Sequence, residues 1–171
     1  MTHSMFIGIE PPADLSAAIR AWQVQLHHDI TAPHVTVKPP QGMSAEVAAR
    51  CRAVCPQLPA FALRLHGVRT FDSRVIYLDA QGEGLHHLHW SLVEASGLPA
   101  TSHERGGYTP HLTMVLSRRP MNVSWPEALA SARAEFGSVD RTYTVEAAVL
   151  YVKDRPGQPY RVAERWPLLG G

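Results

Sequence analysis

A chain of 171 residues, 45% apolar and 18% charged, has material for one soluble core, built as one compact domain or two small lobes. Its formal net charge of +1 excludes a coat for long duplex nucleic acid, which needs many phosphate contacts, yet leaves room for a short phosphate ligand. No apolar run is long enough to span a bilayer, and Met1-Thr2-His3-Ser4-Met5 lacks the basic start of a secretory signal, so a cytoplasmic location is expected.

In chain order, Phe6-Ile7-Gly8-Ile9 predicts a strand ended by Glu10-Pro11-Pro12. Leu15, Ala18, Ile19, Trp22 and Leu26 recur at helical spacing after Asp14, and Thr31-Ala32-Pro33 breaks that helix. A short strand, His34 to Val37, ends at Pro39-Pro40-Gln41-Gly42. Ser44 opens a helix over 45–54, closed by Pro56 to Pro59. Cys51 and Cys55, the only cysteines, are expected as free thiols on one helical face. Strands follow at Phe61 to Leu65 and Val75 to Leu78, with a turn at Phe71 to Arg74 between them. A helix over 84–95 stops at Gly97 and Pro99, and a loop over 100–110 leads to a second histidine strand. The next helix starts near Ser124, with Pro126 in its first turn, and ends before Gly137. Tyr143 to Val152 and Tyr160 to Ala163 are expected to pair as a closing hairpin.

Two short segments match across this order: Pro33-His34-Val35-Thr36-Val37 and Pro110-His111-Leu112-Thr113-Met114. Side chains at i and i+2 of a strand share a face. Each histidine therefore projects with its threonine, while the apolar residues face a core. The element series around each segment is the same, giving approximate repeats over 5–70 and 74–165 within a single bilobal domain over 1–171. The expected architecture is α+β: two pseudo-symmetric lobes, each an antiparallel sheet backed by helices, with both histidine–threonine pairs lining the cleft between them.

These segments resemble the two His-x-Thr-x motifs of the 2H phosphoesterases, and the preceding prolines and closing hairpin extend the likeness over nearly the whole chain. The sequence looks like the bacterial branch labelled 2′-5′ RNA ligase or RNA 2′,3′-cyclic phosphodiesterase, which includes YjcG-like members. The resemblance implies opening of a 2′,3′-cyclic phosphate on an RNA end or nucleotide, reversible toward ligation. It implies no metal, no cofactor and no obligatory protein partner. Its motif order suggests His111 as general base toward water and His34 as general acid, while the symmetry of the two motifs equally allows the roles to be reversed or to exchange in the ligation direction. One departure is that the basic residue usual shortly after the second motif comes late, as Arg118 and Arg119.

The residue types suit that chemistry. An imidazole with an ordinary pKa near 6.5 can accept or give a proton near neutrality, and in-line displacement at phosphorus needs one of each on opposite sides. Thr36 and Thr113 can donate hydroxyl hydrogen bonds to non-bridging oxygens. Lys38, two residues past Thr36, is expected on the same strand face, within reach of the phosphate. Arg105, in the loop before the second motif, is a further candidate for the phosphate, and Tyr108 for stacking on a base. Each has a structural alternative: a solvated strand-end lysine, a surface arginine, a packing tyrosine. Arg118 and Arg119 are expected to be exposed and to steer an RNA phosphate. His27 and His28 are expected as helix C-terminal dipole partners.

Other function classes are open to the same residues. The chain could serve another small phosphodiester, or bind RNA or nucleotide without turnover. Glu83, His86, His87 and His89, with His103, could instead hold a transition metal.

Overall fold

A computed structural model of the chain describes residues 4–100 and 107–170. Its elements run β1 (Ser4–Ile9), α1 (Ala13–Gln25), β2 (Val35–Lys38), α2 (Ala45–Val54), a 3-10 turn (Cys55–Gln57), β3 (Phe61–Phe71), β4 (Val75–Gln81), α3 (Glu83–Ser96), β5 (His111–Leu116), α4 (Trp125–Phe136), β6 (Asp140–Val145), β7 (Ala147–Lys153) and β8 (Arg161–Pro167). No helix among the described residues is long and apolar enough to cross a membrane.

The helices start where the sequence offers caps. The Ser44 hydroxyl accepts from the Val47 amide at 3.2 Å, a contact worth about 1 kcal/mol. Ser124 accepts from the Glu127 amide at 3.3 Å and donates to its carboxylate at 2.8 Å, with Pro126 inside the first turn. α1 buries Leu15, Ile19 and Trp22, each stabilising by about 1.5–3 kcal/mol. Both cysteines are buried free thiols, and burial pushes Cys55 up to about 12, which keeps it unreactive.

All eight strands join one antiparallel sheet in the order β6-β3-β4-β5-β2-β1-β7-β8. The fold is thus α+β, as expected, with its expected symmetry visible about the centre of the sheet. β2 and β5 meet there at a single paired position, Val35 opposite Leu112, so two four-stranded halves share a narrow seam. Each half takes strands from both of the stretches expected as repeats: β3 pairs with β4 and β6, while β7 returns to pair with β1.

The closing hairpin differs from expectation in one respect. The stretch from Tyr143 divides at Glu146: β6 pairs with β3, and only β7 pairs with β8. Hydrophobic alternation over 143–152 carries no sign that the chain changes neighbours there. The main core lies on the helical face, where Ile7, Ile9, Val35, Val37, Leu112 and Met114 pack with residues of the four helices among the described residues. Phe6, Val149 and Tyr151 form a small separate cluster, joined by Tyr160 and Val162.

Candidate active site

The seam positions the two motifs. Val35 and Leu112 are both fully buried against the helices, so their neighbours in sequence project to the other face. Continuing the register one residue each way sets His34 across from Thr113 and Thr36 across from His111. Directly opposite residues stand about 4.5–5.5 Å apart and diagonal ones about 7–8 Å. The two imidazoles occupy a diagonal and the two threonines fill the other corners. The positive charge of His111 is felt at His34, as this closeness requires.

Both rings are oriented alike. The Nδ1 atom of His34 lies 2.7 Å from the Ala32 carbonyl, and that of His111 lies 2.9 Å from the Thr109 carbonyl. A carbonyl only accepts, so each Nδ1 donates and Nε2 is left for proton transfer. Phe6 and Tyr151 flank His34 at centroid distances of 4.9 and 5.1 Å. Phe71 and Tyr77 flank His111 at 4.9 and 5.4 Å. Burial within these aromatic walls drives the pKa of His34 down to about 4, and the His111 charge adds to the fall. Burial lowers His111 as well, opposed by its bond to Thr109 and by the carboxylate of Asp79.

A cleft of about 480 Å³ has His34, Thr36 and Thr113 in its lining; His111, expected to line it too, is not part of that lining. Arg118, Arg119 and Lys153 also line it, and no described lining residue is acidic. Lys153 sits 4.6 Å over the Tyr160 ring, whose hydroxyl meets Ser4 Oγ at 2.5 Å. The late arginines expected at the surface therefore border the motif cleft.

Lys38 requires a correction. Ile7 pairs with Lys38 and Gly8 with Thr36, so Val37 is an extra residue in a β-bulge. The bulge ends the alternation, and Lys38 turns to the core, fully buried. Its charge opposes the burial that raises the thiol of Cys51 in α2. β5 bulges at the matching place: Ile76 pairs with Val115 and Tyr77 with Thr113, leaving Met114 extra and Val115 buried. Lys38 is thus the counterpart of Val115. The adjacent apolar pair Met114-Val115 is the sequence signal for this bulge.

Tyr108 takes its packing alternative. Its hydroxyl donates to the Thr36 carbonyl at 2.6 Å, and its ring stacks on His89 at 4.0 Å. The His89 Nδ1 atom donates to the Val37 carbonyl at 2.7 Å. The two rings thus brace the backbone just after the first motif histidine. His86 meets the Tyr108 edge at 5.5 Å, so His86 and His89 both join this packed arrangement. Arg105 and His103 lie outside the described residues.

His28 does more than the expected dipole partner. It is buried, donating from Nδ1 to the Pro120 carbonyl at 3.0 Å and accepting the Leu116 amide on Nε2 at 3.1 Å. Gln23 donates to the Met114 carbonyl at 2.9 Å, and the Asn122 amide to the Leu26 carbonyl at 2.8 Å. The end of α1 therefore holds the turn that carries Arg118 and Arg119. Periodicity alone could not reveal these contacts across distant parts of the chain.

The model of the 2′-5′ RNA ligase superfamily matches residues 11–157. Among curated proteins none matches. Three solved structures share the fold, each at 21% identity. A phosphoesterase superposes with a TM-score of 0.65 over 99% of both chains. Escherichia coli LigT complexed with 3′-AMP gives 0.63 over 98% of this chain and 99% of its own. TT0787 of Thermus thermophilus gives 0.65 over 96% and 97%.

Proposed function

Given that the chain belongs to the 2′-5′ RNA ligase superfamily, we propose that it opens 2′,3′-cyclic phosphates at RNA ends or on nucleotides, without a metal. The observation that carries this reading is the seam: two histidine–threonine pairs on one face, related diagonally, beside a cleft lined by cations. The 3′-AMP bound by LigT is a ribose phosphomonoester, the kind of product such an opening leaves.

In this mechanism the phosphate sits between the two imidazoles. His111 takes a proton from water as its oxygen attacks phosphorus, and His34 gives a proton to the departing ribose oxygen. Burial disfavours the charged form of His34, so this ring is neutral at pH 7 before an anion arrives. A phosphate anion beside it offsets that penalty and lets the ring take up the proton it later donates. Thr36 and Thr113 hydrogen-bond the non-bridging oxygens as charge builds. Arg118, Arg119 and Lys153 attract the flanking phosphates of an RNA end. Ligation is the same displacement with the 5′-hydroxyl of a second RNA end in place of water: one imidazole takes that hydroxyl's proton and the other gives a proton to the departing 3′ oxygen, leaving a 2′-5′ phosphodiester.

The test is a hydrolysis panel of 2′,3′-cyclic nucleotides and cyclic-phosphate-ended RNA, with phosphorus NMR of the products and a parallel set in EDTA. Ring opening to a single phosphomonoester, unchanged by EDTA, is expected. Binding without turnover across the panel would contradict the reading and favour a nucleotide-binding module. Inhibition by EDTA that zinc restores would contradict the metal-free mechanism.

A further inference from the structure

We propose that Asp79 is a positioning residue that makes His111, and not His34, the proton acceptor of the pair. The inference rests on the two-histidine phosphoesterase reading and adds to it the cause of the division of labour.

Asp140 on β6 pairs with His66 on β3, His66 with Asp79 on β4, and Asp79 with His111 on β5. Directly paired residues share a face, so carboxylates and imidazoles alternate along one lateral row of four strands. Arg64 neutralises the outer carboxylate, binding Asp140 through two bonds of 2.8 and 2.9 Å. Asp79 receives only the Gln81 side-chain amide, at 3.2 Å, and no lysine or arginine pairs with it among the described residues. Its charge is therefore available to the imidazole beside it.

The first motif offers a matched position. Asp79 is paired with His111, one step beyond Leu78 and Leu112; the corresponding positions in the first motif, one residue past the last pair of Ile9 with Val35, are Glu10 and His34. Glu10, however, is clamped by Arg165 through bonds of 2.7 and 2.9 Å. Two equivalent carboxylates thus have opposite fates, one neutralised by a guanidinium and the other open. An imidazolium formed at His111 during proton abstraction is stabilised by Asp79, and one at His34 gains no such partner.

The remaining groups around His111 do not supply this charge. Phe71 and Tyr77 present rings, Thr109 a carbonyl, and His34 a second imidazole across the seam. Arg69 pairs in register with Tyr77, and His66 lies on the far side of Asp79.

Histidine Cε1–H titration by NMR tests the effect without requiring turnover, using Asp79→Asn and Glu10→Gln. Removing the Asp79 charge should lower the His111 midpoint by about one unit while His34 and His66 move much less, and Glu10→Gln should move neither motif histidine. In the active enzyme the acidic limb of kcat, where His111 must be neutral, should move to lower pH in Asp79→Asn. Its plateau kcat should fall about tenfold with KM nearly constant. An unmoved His111 midpoint, a larger shift at His34, or an equal effect of Glu10→Gln would overturn the inference. Wild-type protein that opens no cyclic phosphate would fail the functional reading, whereas the titrations report separately on the coupling.

Discussion

The two motif strands are near copies in backbone and unlike in surroundings. A histidine tied through Nδ1 to the carbonyl two residues back stands just before β2 and at the first position of β5, and each strand bulges immediately after its threonine. The resemblance ends at the neighbours. Opposite Thr113 stands Tyr77, whereas opposite Thr36 stands Gly8, and a Cβ there would lie 2.8 Å from the Val35 carbonyl and 3.1 Å from the Tyr151 ring. Beside His111 is an open carboxylate, and at the matched place by His34 a neutralised one. Duplicated backbone fixes where two imidazoles stand. On the proposed reading, their neighbours decide which one holds a proton, so that a near-symmetric frame would perform an asymmetric displacement.

The largest expected effect breaks the pair. His34→Ala and His111→Ala should each reduce kcat by about 10²–10⁴-fold, the range for a lost general acid or base, with little change in Tm. Thr36→Val and Thr113→Val should each cost about 10²-fold in kcat, because a donor to the charged oxygens is removed. Similar losses would show that both halves grip the phosphate; a loss confined to one would show a one-sided grip.

A third test concerns support rather than chemistry. His28→Ala removes two buried bonds that hold the arginine turn, and should lower stability by about 1–3 kcal/mol in denaturant unfolding. Arg118→Ala and Arg119→Ala should instead spare Tm and weaken binding of single-stranded RNA, each reducing the slope of log K against log salt by about 0.7.

Proton linkage offers a further test at the first motif histidine. His34 titrates at about 4 in the folded chain and near 6.5 when unfolded, so the unfolded state binds more protons between those values. Its contribution to stability is intact above pH 6.5 and is lost as pH falls toward about 4. His34→Asn should flatten that fall, as measured by unfolding midpoints across the window. Bound inorganic phosphate should oppose it by stabilising the charged ring.

Much of this was legible in the sequence, since strand alternation and the repeated Pro-His-x-Thr placed both motif pairs on one face. Ser44 and Ser124 marked two helix starts because capping is a local property. The β2 bulge was hidden, since Val37-Lys38 preserves an apolar–polar alternation that the backbone does not follow. Asp79 was hidden as well, because its significance comes from pairing across β4 and β5, a contact between residues far apart in the chain. Tyr108 and His89 show the same limit: both types suit a binding site, and only their mutual stacking reveals that they brace the strand.

The central claim is that both motif histidines act on one phosphorus. Its most direct test is single-turnover opening of a cyclic-phosphate-ended RNA by wild type, His34→Ala, His111→Ala and the double variant, all verified as folded. If the imidazoles act together on one displacement, each single variant should lose at least about 10²-fold and the double variant should lose far less than the product of the two. A single variant that turns over at near wild-type rate, or losses that simply multiply, would contradict that claim.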